Sequence, residues 1–294
     1  LSTADNRINL FDIRKEKKIS QWIPIQKGIT KLMCDKDESR LFVLSSGESF
    51  VKVLLSTREL SDLLMLAMGA YTPLKGFMGE EDWRVHTVGF PAIDLISEGN
   101  YATPEEIIEK LKLDLSKPII LFTQHSVTTE FNDASTQIIP SLNAMVELAN
   151  DGVQVICTYP NNDAGGGAII SELEKLDSKN IFGIQVHRSL GRYLYHGVLA
   201  LAKNESHQIA CVGNSSSGIK ETPVFGCPTV NIGSRQKGRL RGQNVVEADY
   251  NTDSIISVVK KCFYDDGFRN QCESTDNPYY LGDAGKKIAN VLAS

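Results

Sequence analysis

The sequence is short of the features that mark several large functional classes. No apolar stretch is long enough to span a bilayer, so no membrane-crossing helix and no membrane partner are expected. Neither sign of charge dominates: 31 Lys and Arg stand against 36 Asp and Glu, a net charge of −5. That leaves no overall basic field to draw nucleic acid. The six cysteines, at 34, 157, 211, 227, 262 and 272, form no C-x-x-C pair and no cysteine–histidine cluster at zinc spacing. No metal and no cofactor are therefore expected. Several of the cysteines sit inside apolar runs, where a reduced thiol behaves as a small hydrophobe, and a reducing cytoplasm is the simplest compartment. The amino terminus has no basic segment followed by an apolar core, so no signal peptide is expected. It starts on Leu1 rather than methionine, in keeping with a fragment or a processed product.

What is present is a globular composition over 294 residues, enough for one large or two ordinary domains. Residues 209–239 organise the rest. Ile209-Ala210-Cys211-Val212-Gly213 is an apolar run of the kind buried as a parallel strand. Asn214-Ser215-Ser216-Ser217-Gly218 follows, small and polar, with serine favoured as the N-cap of a short helix. Such a helix start presents N–H groups and a positive dipole end to an anion. Glu221, one helical turn on, has a carboxylate suited to a pair of sugar hydroxyls. Pro228-Thr229-Val230-Asn231-Ile232 reads as the next strand, and Arg235 follows in a basic loop with Lys237, Arg239 and Arg241. A guanidinium there suits a phosphate.

The same alternation runs from residue 84 to the carboxy terminus. Strands are expected over residues 85–89, 117–122, 153–158, 181–185 and 244–246. Helices are expected over 91–95, 136–150, 168–176, 191–203, 252–263 and 283–292. Thr103-Pro104-Glu105-Glu106 is a helix start, with an N-cap, a proline in the first turn and a capping-box glutamate. Strands alternating with helices imply a parallel sheet covered on both faces, with ligands at the carboxyl ends of the strands. His125, Asn161, Asp163, Leu190, Gly191, Ser215, Ser216 and Arg235 all lie just past such ends. Asn161 and Asp163 fit a loop holding sugar or phosphate oxygens. Tyr195, with Tyr193 as the competing choice, could stack on a base, and backbone near Leu190 and Gly191 could read its edge.

Residues 1–53 differ. Short alternating runs at 7–13 and 40–44, separated by polar turns, read as antiparallel strands. Residues 54–83 begin with a capping signal and an apolar helix over 60–68, closed by Gly69.

Several of these strings carry resemblances. GNSSSGIKE followed by FGCPTVNIGSRQKGR resembles the carboxy-terminal domain of hydrolysing UDP-N-acetylglucosamine 2-epimerases, which make N-acetylmannosamine for sialic-acid and related amino-sugar pathways. QHSVTT, PNNDAGG, GFPAIDLI and the NPY ending at 277–279 fit the same family. The resemblance covers about residues 84–294. It implies the Rossmann-like carboxy-terminal half of a GT-B fold, here preceded by a small β-rich segment and a short helix. It implies UDP or a UDP-sugar as partner and leaves homo-oligomerisation open. It implies that His125 binds the diphosphate and assists its departure, a role suited to a side chain whose charge changes near neutral pH. Ser215, Ser216, Glu221 and Arg235 would contact diphosphate, ribose and phosphate. In that family the acid–base carboxylates come largely from an amino-terminal Rossmann-like domain. Here that place is taken by residues 1–53, which resemble one WD40-type propeller blade, and by 54–83, which resemble a segment of ATP sulfurylases without their catalytic motifs. The combined expectation is a UDP-binding half with little or no turnover alone. A binding module without chemistry and a glycosyltransferase of the same architecture are the alternatives.

Overall fold

The structure is a computed structural model that describes residues 85–293 and, ahead of them, six strands between residues 8 and 67. The chain divides into two compact units, Leu95–Pro278 and Leu1–Asp94 with Tyr279–Ser294.

The unit Leu95–Pro278 is built on six strands: β1 (Ile119–Thr123), β2 (Gln154–Thr158), β3 (Ile184–His187), β4 (Ile209–Gly213), β5 (Thr229–Ile232) and β6 (Val245–Ala248). Every pairing between them is parallel, in the spatial order β3-β2-β1-β4-β5-β6. The connecting helices are α1 (Pro104–Leu111), α2 (Ala134–Asn150), α3 (Gly166–Ser178), α4 (Gly191–Ala200), α5 (Ser217–Lys220), α6 (Thr252–Tyr264) and α7 (Asp266–Glu273). The strand order reverses between β1 and β4, and a crevice opens there at the carboxyl ends of a doubly wound sheet.

Alternation along the strands sorts the core onto two faces. Ile120 and Phe122 of β1 join Ala210 and Val212 of β4 in a cluster with Ile138, Met145, Ile255 and Phe263. Ile119 and Leu121 join Ile209 and Cys211 in a second cluster with Ile107, Val198 and Phe225. A sheet buried on both faces needs apolar residues at both parities, which is why these strands read as unbroken apolar runs. The fold is therefore α/β and Rossmann-like. Thr103 caps α1 with the reciprocal bonds its sequence foretold: the Glu106 N–H to Thr103 Oγ1 at 3.3 Å and the Thr103 N–H to Glu106 Oε2 at 2.9 Å. Gly213 ends β4 at φ +130°, and a Cβ there would lie 2.0 Å from the Thr123 carbonyl oxygen.

One expectation at the serine run changes. The helix there is a single α-turn, Ser217–Lys220, followed by a 3-10 turn at Thr222–Phe225, and the Ser216 side chain makes no capping bond. Pro223 supplies the reason for the short helix, since a proline so soon after the first turn cannot continue its bond ladder.

In the other unit, Ile8–Asp12 and Lys17–Trp22 pair antiparallel. Ile29–Cys34, Leu41–Ser45, Phe50–Leu54, Leu63–Ala67 and Val85–Thr87 form a five-stranded sheet, antiparallel except for its last pair. Where a helix was expected over residues 60–68, Leu63–Ala67 is a strand paired with Phe50–Leu54. A run as uniformly apolar as LLMLA has no period to decide between the two. The rest of the sulfurylase-like segment, its capping signal and its turn, lies outside the described residues, as do the polar turns of the propeller-like one. Asp94 caps the helix Ala284–Ala293: its carboxylate accepts the Ala284 N–H at 3.2 Å and the Gly285 N–H at 2.8 Å, a favourable place for negative charge.

Candidate functional site

The loops leaving β1, β2, β4 and β5 meet through named hydrogen bonds. Asn214, 1% exposed, is their hub. Its Oδ1 accepts the His125 N–H at 2.7 Å and its Nδ2 donates to the His125 carbonyl at 2.8 Å. Its own carbonyl accepts Arg235 Nη1 at 3.1 Å and Gln236 Nε2 at 2.7 Å. One buried residue thus fixes the loops that follow β1, β4 and β5.

The loop after β2 joins through the His125 ring, whose Nδ1 accepts the Asn161 N–H at 3.0 Å. Nδ1 therefore carries no proton, and in the neutral ring the hydrogen sits on Nε2. Burial pulls the His125 pKa down to about 4; the neighbouring Arg235 adds to this, while the charge of Asp163 opposes it. The expected charge change near neutral pH is thus corrected. A desolvated imidazole beside a guanidinium is held neutral at pH 7, and it offers an N–H rather than a positive charge.

Asp163 lies 3.6 Å from Arg235 Nη2 and accepts Asn161 Nδ2 at 2.8 Å. Only an amide nitrogen can donate to a carboxylate, so this bond sets the orientation of the Asn161 side chain. Its Oδ1 is buried and has no hydrogen-bond partner among the described residues. The site therefore presents two kinds of group. Arg235 and His125 offer donors suited to an oxyanion. Asp163 and Asn161 Oδ1 accept, and suit a hydroxyl or an amide N–H.

A second set of bonds continues from the serine run. Ser215 Oγ accepts Ser217 Oγ at 2.9 Å, and Tyr195 Oη meets Ser217 Oγ at 2.7 Å. Tyr195 rather than Tyr193 is tied to this loop; Tyr193 is exposed and donates instead to Glu106 at 2.9 Å. Burial holds the Tyr195 hydroxyl well above the ordinary tyrosine range, so it stays protonated. Ser216 is half-buried beside Ser215. Glu221 Oε2 is 2.9 Å from Nε2 of the buried His196. Leu190 packs its side chain against the second core cluster, and the Gly191 N–H is taken by Ser189 Oγ at 3.0 Å. These two stand at the start of α4, and no described bond joins them to the His125 group.

Three participants escaped the sequence reading. Asn214 was only one letter of a small polar loop, although an asparagine straight after a buried strand at a rim is the signal that marks it. Glu130 ties the β1 and β5 loops, accepting Ser234 Oγ at 3.1 Å and Gln137 Nε2 at 2.7 Å. His196 is the third.

Residues 55–293 match the family described as UDP-N-acetylglucosamine 2-epimerase. The chain belongs to this family. It is 34% identical over 174 residues to a GDP/UDP-N,N'-diacetylbacillosamine 2-epimerase (hydrolyzing) of Campylobacter jejuni, covering 59% of this chain and 43% of that one. It is 32% identical over 187 residues to a UDP-N-acetylglucosamine 2-epimerase of Neisseria meningitidis, covering 63% and 45%. The chain thus spans less than half the length of these relatives. S. aureus MnaA, in a co-structure with UDP, shares the fold at 19% identity and TM-score 0.53, over 72% of this chain and 54% of that one. Over 38 residues the chain is 57% identical to a sulfate adenylyltransferase of Chlorobium chlorochromatii, covering 13% of this chain and 9% of that one. Among the described residues no helix of this family member is long and apolar enough to cross a membrane, and none of their side chains cluster as metal ligands.

Proposed function

We propose that the rim at the β1/β4 crossing point holds the diphosphate of a UDP-sugar in a hydrolysing 2-epimerase reaction. In that reaction UDP leaves the sugar by elimination after loss of the C2 proton. Water then adds with the opposite configuration, so UDP-N-acetylglucosamine gives N-acetylmannosamine. The observation that carries this reading is Asn214, which ties the His125 backbone and the Arg235 guanidinium to one buried residue at the rim. Departure of a diphosphate needs fixed donors where charge develops. Arg235 supplies a permanent positive charge and His125 Nε2 supplies an N–H to the leaving oxygen. Ser215 and Ser216 add hydroxyls to the diphosphate, and Glu221 takes the ribose hydroxyls. Asp163 and Asn161 Oδ1 accept from the sugar. Tyr195, packed against Ser217, flanks the base, and the turn at Leu190 and Gly191 borders it. Proton transfer at C2 is a separate task for acid–base carboxylates.

Calorimetric titration with UDP tests the reading. Arg235→Ala should weaken binding by at least about tenfold, the scale of a charge-assisted pair. Equal affinity in the two proteins would rule the site out. The likeness to a diacetylbacillosamine 2-epimerase favours a second choice of sugar, a di-N-acetylated one. Comparing the two UDP-sugars as ligands decides between them.

A further inference from the structure

We propose that His196 is a positioning residue for Glu221 and, through it, sets the preference for a ribose with intact hydroxyls. This rests on the reading of Glu221 as the ribose contact. His196 is 2% exposed, on α4, with its ring 5.9 Å from Phe225 and 6.4 Å from Tyr195. Its Nε2 lies 2.9 Å from Glu221 Oε2. A carboxylate only accepts, so Nε2 carries the hydrogen and donates. Its Nδ1 is buried and has no hydrogen-bond partner among the described residues.

An apolar side chain would fill this space without leaving a polar nitrogen unsatisfied, which carries a cost. What the imidazole adds is one directed N–H to the carboxylate of Glu221. The neighbouring bond between Tyr195 and Ser217 comes from the same helix, so α4 fixes the serine run and Glu221 by two side chains in succession. Glu221 follows a single helical turn and opens a 3-10 turn, a backbone with little regularity to hold its side chain. A carboxylate that must meet two adjacent hydroxyls needs a fixed rotamer, and a buried donor on one oxygen supplies it.

The experiment compares UDP with 2′,3′-dideoxy-UDP by calorimetry on the full chain. The unsubstituted protein should prefer UDP by about tenfold or more, the scale of hydrogen bonds to a charged group. In His196→Leu the preference should fall to near unity while the affinity for the dideoxy compound stays unchanged. His196→Gln, whose amide nitrogen reaches about where Nε2 stood, should restore most of it. If the leucine protein does not fold, His196→Asn, with an amide too short to reach Glu221, takes its place. A variant that loses affinity for both ligands equally, or keeps the preference, overturns the role of His196. Failure of the unsubstituted protein to bind UDP at all would instead overturn the reading of the site.

Discussion

Asn214 and His125 pair like neighbouring residues of a sheet, but through a side chain: Oδ1 accepts the His125 N–H at 2.7 Å and Nδ2 returns a bond to the His125 carbonyl at 2.8 Å. β1 and β4 are already in register up to Thr123 and Gly213. The amide of Asn214 extends that ladder by one more rung after the backbones have parted to open the rim. Asn214→Ala should therefore leave a part-buried N–H and C=O without partners and cost about 2 kcal/mol of stability in urea unfolding. Asn214→Asp keeps the acceptor but loses the Nδ2 donor, and its carboxylate would face the His125 carbonyl. It should be at least as damaging as alanine. A stability change below about half a kcal/mol for both would mean that Asn214 is a bystander.

His125 makes stability depend on pH in a direction that can be stated. Its folded pKa of about 4 lies below the ordinary value of 6.5. Between those values the unfolded chain holds a proton that the folded chain does not, so stability rises with pH. This contribution is complete above about pH 6.5 and is lost as pH falls toward 4; below that both states are protonated and the slope vanishes. The full effect is about 3 kcal/mol by the usual conversion of a pKa difference. His125→Asn places an oxygen where Nδ1 accepts from Asn161 and removes the titration. The gap between urea midpoints at pH 4.5 and 7 should be larger in the native protein than in the variant. Parallel behaviour of the two would contradict a depressed pKa.

The alternation of strands and helices from residue 85 on was readable because buried parallel strands are apolar at every position. Ile119 to Phe122 and Ile209 to Val212 could be mistaken for little else once helices flanked them. The cap at Thr103 was equally plain, since both of its bonds are local. α7 was not anticipated, because Asp265-Asp266-Gly267 has the composition of a turn; the Asp265 side chain in fact caps the helix, accepting the Phe268 N–H at 2.9 Å. Residues 60–68 misled for the opposite reason, an apolar run too uniform to carry a period. At the site, sequence order indicated that the loops after β1, β2, β4 and β5 share the rim, while the loop after β3, expected there too, has no described bond to the His125 group. It did not indicate that the Arg235 and Gln236 side chains converge on the Asn214 carbonyl, a bond between residues 21 and 22 positions apart that leaves no local pattern.

Gly213 shows how tightly the crossing point is drawn. Its φ of +130° is open to glycine alone, and a Cβ would sit 2.0 Å from the Thr123 carbonyl oxygen and 2.6 Å from its carbon. Backbone on both sides cannot give way as a flexible side chain would. Gly213→Ala should cost more than about 3 kcal/mol, the range reached when strain and a steric clash combine, and is expected to leave little folded protein. A chain that melts within a few degrees of the native one would show that β1 and β4 can move apart at this point.

Asp163 and Arg235 make the last prediction one of sign. Asp163 stands 3.6 Å from the guanidinium and orients it, yet its negative charge opposes any anion that Arg235 receives. Orientation has a second source in the Asn214 carbonyl, which holds Nη1 at 3.1 Å. Asp163→Asn keeps the shape and an oxygen to accept from Asn161 while deleting the charge. With the guanidinium still held, electrostatics decides, and UDP should bind about three- to tenfold more tightly, consistent with unit charges near a protein surface. The gain should shrink as salt rises from 0.01 to 0.5 M in the assay, since screening weakens the repulsion that was removed. Weaker binding of UDP by the asparagine protein at low salt would show instead that Asp163 holds Arg235 in place and that its charge is the smaller effect.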